Sequence, residues 1–254
     1  MANSNSWQTI FDKYQILEHN FDKEPFCITA EQIKVACQNF TKTNQKEVRI
    51  LCKQDKREDR PKVFADNGLF ILPTTNGEYA IIKGEGYVDI PPITTDIKEY
   101  HSHLDFHLDS STVGDSEMQH LDFAYASSLI RTFMEDPTLV LSIRGRKYTP
   151  EFSFKVGENE INVNSVQTEV DAGYEGKDEI ILIEAKNTNT TNTIIRQMYY
   201  PYRQWQSYTK KNVVLLFFEK QKDIYSIWQY RFKDKEDYNS IVLVKSGRYK
   251  IIGK

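Results

Sequence analysis

The N-terminal residues place apolar positions at helical spacing. WQTIFDKYQILEHNF sets them three or four apart, and ITAEQIKVACQNF opens on Thr29 and Gln32, the two ends of a capping box. The pattern predicts helices across residues 7–40. After residue 47 the period shortens to two. EVRILCK reads as a strand, KQDKREDRPK as a charged loop, and GLFILP and EYAIIKGEGYVDI as strands joined by the turn TTNG. Pro91-Pro92 ends this stretch, so residues 1–92 are expected to form a small α/β unit and residues 93–254 a larger domain.

Helical spacing returns in GDSEMQHLDFAYASSLIRTFMED, where Met118, Leu121, Tyr125, Leu129 and Phe133 share a face and Ser116 stands at the cap position. LVLSIRGRKY and EFSFKV follow as an expected hairpin, and EINVNSVQTEVDAGYE and EIILIEAKN as strands. NTIIRQMYYPYRQWQSYTKK reads as a helix with core-packing aromatics, kinked or restarted at Pro201. VVLLFFEK, DIYSIWQYRF, SIVLVKS and RYKII complete the series as strands. Helix, strands, helix, strand and further strands predict an α/β or α+β fold, with a mixed β-sheet core flanked by helices.

Composition changes this picture little. With 33 Lys and Arg against 36 Asp and Glu the net charge is −3, which argues against a protein that coats nucleic acid non-specifically. A local basic groove stays open. No apolar run approaches the length of a membrane span, and MANSNSWQTIFDKY lacks the layout of a secretory signal. Cys27, Cys37 and Cys52 are odd in number and none sits in a CxxC pair. A reducing cytoplasm is therefore expected, without a disulfide framework or structural zinc.

The candidate chemistry lies where strands end in charge. Three places match [Asp/Glu]-x-Lys: Asp96-Ile97-Lys98, Glu175-Gly176-Lys177 and Glu184-Ala185-Lys186. Only the third closes a strand with a continuous apolar run behind it. Residues i and i+2 of a strand share a face, so Glu184 and Lys186 project together. In the preceding strand Gln167, Glu169 and Asp171 alternate with Thr168 and Val170. Such a face is costly to bury unless its charges are paired. Magnesium suits two of the carboxylates, and a lysine beside it orients or deprotonates an attacking water. The plainer alternative is a surface ion-pair ladder, contributing roughly 0.2–1 kcal/mol per pair.

Asp171, twelve intervening residues and then Glu184-x-Lys186 resembles the PD-(D/E)xK nuclease superfamily, and within it a type II restriction endonuclease. The resemblance covers roughly residues 110–220, with the helix at 114–136, strands from 139 to 186, a crossover helix at 191–209 and a strand at 213–219. It implies a restriction-endonuclease-like core, Mg2+ held by Asp171 and Glu184, and Lys186 assisting the attacking water. It also implies double-stranded DNA cut at a short specific sequence, a homodimer and a cognate DNA methyltransferase as functional partner. Val170 stands where the motif has proline. Glu117 resembles the family's acidic residue on the helix before the strands. Gln197, with Tyr199, Tyr200 and Tyr202 after it, resembles the glutamine on the following helix. Glu169 either supports Lys186 or stands as a solvated charge.

Arg144, Arg146, Arg196 and Arg203 are candidate DNA contacts, with Lys210 and Lys211 beside them. Two other readings stand next to this one: a repair or mobile-element nuclease with structure-based specificity, and a non-catalytic DNA-binding module. HSHLDFH carries His101, His103 and His107 on an expected loop, a weak zinc pattern without a firm scaffold.

Overall fold

The structure, a computed structural model, describes residues 3–187 and 189–253. It opens with helix α1 (Ser4–Lys13), strand β1 (Phe26–Thr29) and helix α2 (Ala30–Ala36). The capping box forms: Thr29 Oγ1 accepts from Gln32 N at 3.1 Å, and Gln32 Oε1 accepts from Thr29 N at 2.8 Å. The expected helicity over 7–40 is interrupted by β1, whose backbone pairs with residues 78–81. EVRILCK, expected as a strand, instead coils. Two short helices, α3 (Thr43–Lys46) and α4 (Val48–Leu51), put Val48 and Leu51 three positions apart into the N-terminal core. Burial there outweighs the strand preference of Val and Ile.

Helix α5 (Lys62–Asp66) leads into β2 (Leu69–Thr75) and β3 (Glu78–Lys83), joined at Asn76-Gly77 as TTNG predicts, with Gly77 at φ 87°. The sheet β1-β3-β2 is buried on both sides. Leu69, Ile71 and Ile81 pack with Trp7, Phe11 and Phe64, while Phe70, Leu72, Ala80 and Ile82 enter the main core. That accounts for the unbroken apolar runs LFIL and AII, since a strand covered on both faces need not alternate.

Strands β4 (Tyr87–Asp89) and β5 (Lys98–His101) precede α6 (Glu117–Ala126) and α7 (Leu129–Met134). Ser116 caps α6, its Oγ accepting from Gln119 N at 3.2 Å. The expected single helix breaks at Ser127-Ser128. Ser127 Oγ donates back to Ala124 O at 3.2 Å, and Ser128 takes φ 67°. Past β5 the histidines disperse: His103 stacks on Tyr100, and His107 pairs with Asp109 at 2.9 Å.

The remaining elements are β6 (Val140–Tyr148), β7 (Phe152–Val156), β8 (Asn159–Val163), β9 (Gln167–Glu175), β10 (Glu179–Lys186), β11 (Asn192–Ile194), α8 (Arg196–Tyr208), β12 (Asn212–Gln221), β13 (Ile224–Phe232) and β14 (Ile241–Ile252). Seven of the strands make one mixed sheet in the order β5-β14-β13-β12-β10-β9-β6, parallel only at β10–β12 and β14–β5. SIVLVKS and RYKII are one strand, β14. The expected hairpin of LVLSIRGRKY with EFSFKV does not form: β6 pairs with β9, and β7 with β8. Pro150 interrupts the first connection, and Gly157, at φ 58°, supplies the tight turn of the second.

The architecture is mixed α+β. Helix α8, carrying Pro201 in its interior, covers one face of the sheet; α6 and α7 cover the other. Along β10, Ile180 and Leu182 face α8 while Ile181, Ile183 and Ala185 face α6. Each such side chain contributes roughly 1.5–3 kcal/mol of burial, so the strand ending in Glu184 and Lys186 is firmly anchored.

Candidate active site

The site begins where β9 and β10 part. Their paired register runs from Glu175–Ile180 to Ala172–Ile183 and stops there. Upstream, Val166, just before β9, and Val170 within it join the α8-side core; downstream, Ala172 and Tyr174 join the α6-side core. The buried face of β9 therefore changes sides at Asp171. The Asp171 carboxylate fills the gap in the ladder, its Oδ2 accepting from Ala185 N at 2.8 Å. A side chain held by backbone in this way has little rotational freedom.

Glu184 is 9% exposed, and Lys186 donates from Nζ to its Oε1. Burial pushes the Glu184 carboxyl up to about 7, with the Asp171 charge adding to the rise and Lys186 opposing it. Asp171 is also raised, mainly by burial, against the Ala185 hydrogen bond and the Lys186 charge. For Lys186, burial favours loss of the proton, but Glu184, Asp171 and Glu117 outweigh it and hold the ammonium charged. Two desolvated carboxylates thus share one lysine, leaving the group short of positive charge.

These three residues line a cleft of about 570 Å³. Glu169, Arg146, Arg196 and Gln197 line it too, so the structure brings them to the same place. Glu169 pairs with Arg146 at 3.2 Å. Gln197 accepts from Thr193 Oγ1 at 2.8 Å through its Oε1. Glu117, at the start of α6, is near enough for its charge to raise both Asp171 and Lys186. Two candidates lie elsewhere. Arg144 turns to α6 and pairs with Asp122. Arg203 clamps α8, donating to Ser153 O at 3.0 Å and Lys235 O at 2.9 Å while stacked over Phe152. Lys211 is tied to Glu175 at 2.5 Å, which also accounts for the second [Asp/Glu]-x-Lys match.

Several residues at the site escaped the sequence pattern. Arg49, Lys53, Asp55 and Tyr79, all from the N-terminal part of the chain, also line the cleft. Asp55 lies 3.8 Å from Arg196 and 3.5 Å from Lys53, and its charge adds to the rise at Glu184. Asn187 Nδ2 donates to Asp115 O at 2.8 Å, holding the segment that leads into Glu117. Glu219, buried on β12 beside Lys186 in register, accepts from Thr190 N at 2.9 Å and fixes the chain after the lysine. No short-range pattern points to these residues. Arg57 N, for example, meets Asn192 Oδ1 at 2.8 Å across 135 positions.

The fold and site define a mixed α+β protein with two carboxylates and a lysine at the floor of a cleft. Residues 82–250 match the family described as domain of unknown function DUF6997, more than half of the chain, and the protein belongs to that family. Residues 4–81 match domain of unknown function DUF6996. No curated protein and no solved structure matches the chain.

Proposed function

We propose that the protein is a magnesium-dependent nuclease of the PD-(D/E)xK type, hydrolysing phosphodiester bonds of double-stranded DNA as a type II restriction endonuclease at a short specific sequence. The observation that carries the reading is the convergence of Asp171, Glu184 and Lys186 at one strand fork, the carboxylates desolvated and under-neutralised. The element order supports a restriction-endonuclease-like core: helices α6 and α7, antiparallel β6-β9-β10, then α8 crossing to parallel β12.

The donor set fits magnesium. Asp171 and Glu184 offer hard carboxylate oxygens beside an open cleft, and a divalent charge would offset both the burial that raises the Glu184 carboxyl and the Asp171 charge that adds to it. When bound, Mg2+ supplies a polarised phosphoryl oxygen and an acidified water. Lys186, held charged by its neighbours, acts as a hydrogen-bond donor that orients the attacking oxygen and offsets charge building on the phosphate. One P–O bond forms to the water oxygen, one breaks to the sugar oxygen, and the leaving oxygen takes up a proton. Cutting both strands calls for two such sites, which makes a homodimer part of the proposal. A cognate methyltransferase would protect the host's own sites.

Incubating plasmid and genomic DNA with the protein and Mg2+ tests the reading. Discrete fragments with constant ends are expected, and EDTA should abolish them. Smearing would replace sequence specificity with general or structure-directed cleavage, and an uncut plasmid would leave only a DNA-binding module. Lys186→Ala should lower cleavage by at least about 100-fold, the scale of removing one hydrogen-bond donor to the transition state, while retaining DNA affinity. A fully active variant would overturn the site assignment.

A further inference from the structure

We infer that the N-terminal part of the chain supplies a phosphate-gripping wall for a polynucleotide strand, with Arg49 and Lys53 sharing with Arg146 the cleft that holds the carboxylate floor. The inference rests on the nuclease reading and extends it to residues outside the nuclease-like core.

Arg49, Lys53 and Arg146 all line the cleft that holds Asp171, Glu184 and Lys186. None is locked in place by a strong ion pair. Lys53 is 72% exposed and stands 3.5 Å from Asp55, which is 17% exposed and also faces Arg196, and Arg146 meets Glu169 at 3.2 Å on the surface. Exposed pairs of this kind contribute about 0–1 kcal/mol, so a phosphate displaces the carboxylate easily. Arg49 has no carboxylate within 4.0 Å among the described residues. Its charge falls on Tyr79, another cleft residue.

The wall itself is fixed. Asp55 O accepts from Ile194 N at 2.8 Å, Arg57 N donates to Asn192 Oδ1 at 2.8 Å, and the Arg57 guanidinium pairs with Asp89. Several separate cations around one carboxylate floor suit a run of successive phosphates. A single phosphomonoester would call for one convergent cluster. The expected ligand is therefore a strand whose phosphates flank the one being cut.

The test uses the full-length protein with Lys186→Ala, which allows binding without cutting. Affinity for a fluorescent 20-mer, as duplex and as single strand, is measured by anisotropy over a salt series. Adding Arg49→Ala and Lys53→Ala should weaken binding at least about tenfold near 0.15 M salt. It should also reduce the slope of log K against log salt by roughly 1–2, about 0.9 for each duplex phosphate that is no longer neutralised. The charge-matched control Lys23→Ala/Lys34→Ala, on the outer N-terminal surface, should change neither. A circular dichroism melt confirms that the variants fold; if Ala disturbs the wall, Gln replaces it. Equal affinity and slope in the wall variant, or an equal loss in the control, overturns the inference while the nuclease reading stands. A parent protein that binds no nucleic acid overturns both.

Discussion

Glu184 is the residue in which the site's stability and its chemistry oppose each other. Its carboxyl sits near 7 in the folded chain against an ordinary value of 4.5, so the fold binds that proton more tightly than the unfolded chain does. The stability this residue contributes is complete below about pH 4.5 and is lost as pH rises through 7. Glu184→Gln should therefore stabilise metal-free protein at pH 8 by an amount on the order of 1–3 kcal/mol, read as a higher melting midpoint. The difference should close toward pH 4; calorimetry across the range checks it, and a gap that stays constant with pH would exclude this cause. Adding Mg2+ at pH 8 should stabilise the native protein through binding to the folded state, and Glu184→Gln much less. Glu184 and Lys186 were legible in the sequence because a strand's two-residue period puts them on one face, whereas Asp171, where β9 changes sides, was legible only through its spacing from them. Asp55 was not, since its place beside Glu184 depends on an approach between distant parts of the chain.

At the scale of elements, the site depends on how β9 is held between β6 and α8. The register of β6 against β9 shifts on both sides of Ile143, and Gly173 lies against that residue. A Cβ at Gly173 would stand 2.7 Å from Ile143 Cβ, so one strand must move. Gly173→Ala should destabilise the fold by about 1–3 kcal/mol and lower cleavage further by shifting Asp171, two residues away. Urea denaturation and a cleavage assay read the two effects separately. On the other side, Gln204 is fully buried, accepting from Thr168 Oγ1 and donating to Tyr148 O, each at 2.7 Å. Gln204→Ala removes both bonds, leaving Thr168 Oγ1 only its longer 3.3 Å bond to Lys147 O, and should cost about 1–3 kcal/mol. Periodicity reveals that these strands exist, yet it does not pair them. LVLSIRGRKY and EFSFKV are neighbours in sequence, but Pro150 and Gly157 send them to different partners.

The whole molecule is organised around a layer shared by two cores. Ile81 belongs to the N-terminal core and Ile82 to the main core, and the two family matches meet between these residues. Tyr200 Oη donates to Pro73 O at 2.9 Å, and Asn164 N to Thr74 O at 2.9 Å, so the end of β2 is tied to α8 and to the segment between β8 and β9. Unfolding either part alone would expose Phe70, Leu72 and Ile82, which favours a single cooperative transition. Single-tryptophan variants keeping Trp7 or Trp228, one in each core, should report coincident urea midpoints; separated midpoints would show independent units. KQDKREDRPK reads as a solvated loop because its charges dominate the pattern. In the fold its backbone is docked, with Gln54 buried and Arg57 bound to Asn192.

The shared layer has one more consequence. Phe70, Leu72, Ala80 and Ile82 pack the N-terminal sheet onto the main core, so widening the cleft between these parts would expose apolar surface. If the proposed nuclease function holds, a duplex reaching the carboxylate floor would adapt its own shape to the groove. Base steps that kink or open easily would enter at lower energy than stiff ones. Selection among DNA sequences would thus begin with their mechanics, before any side chain reads a base.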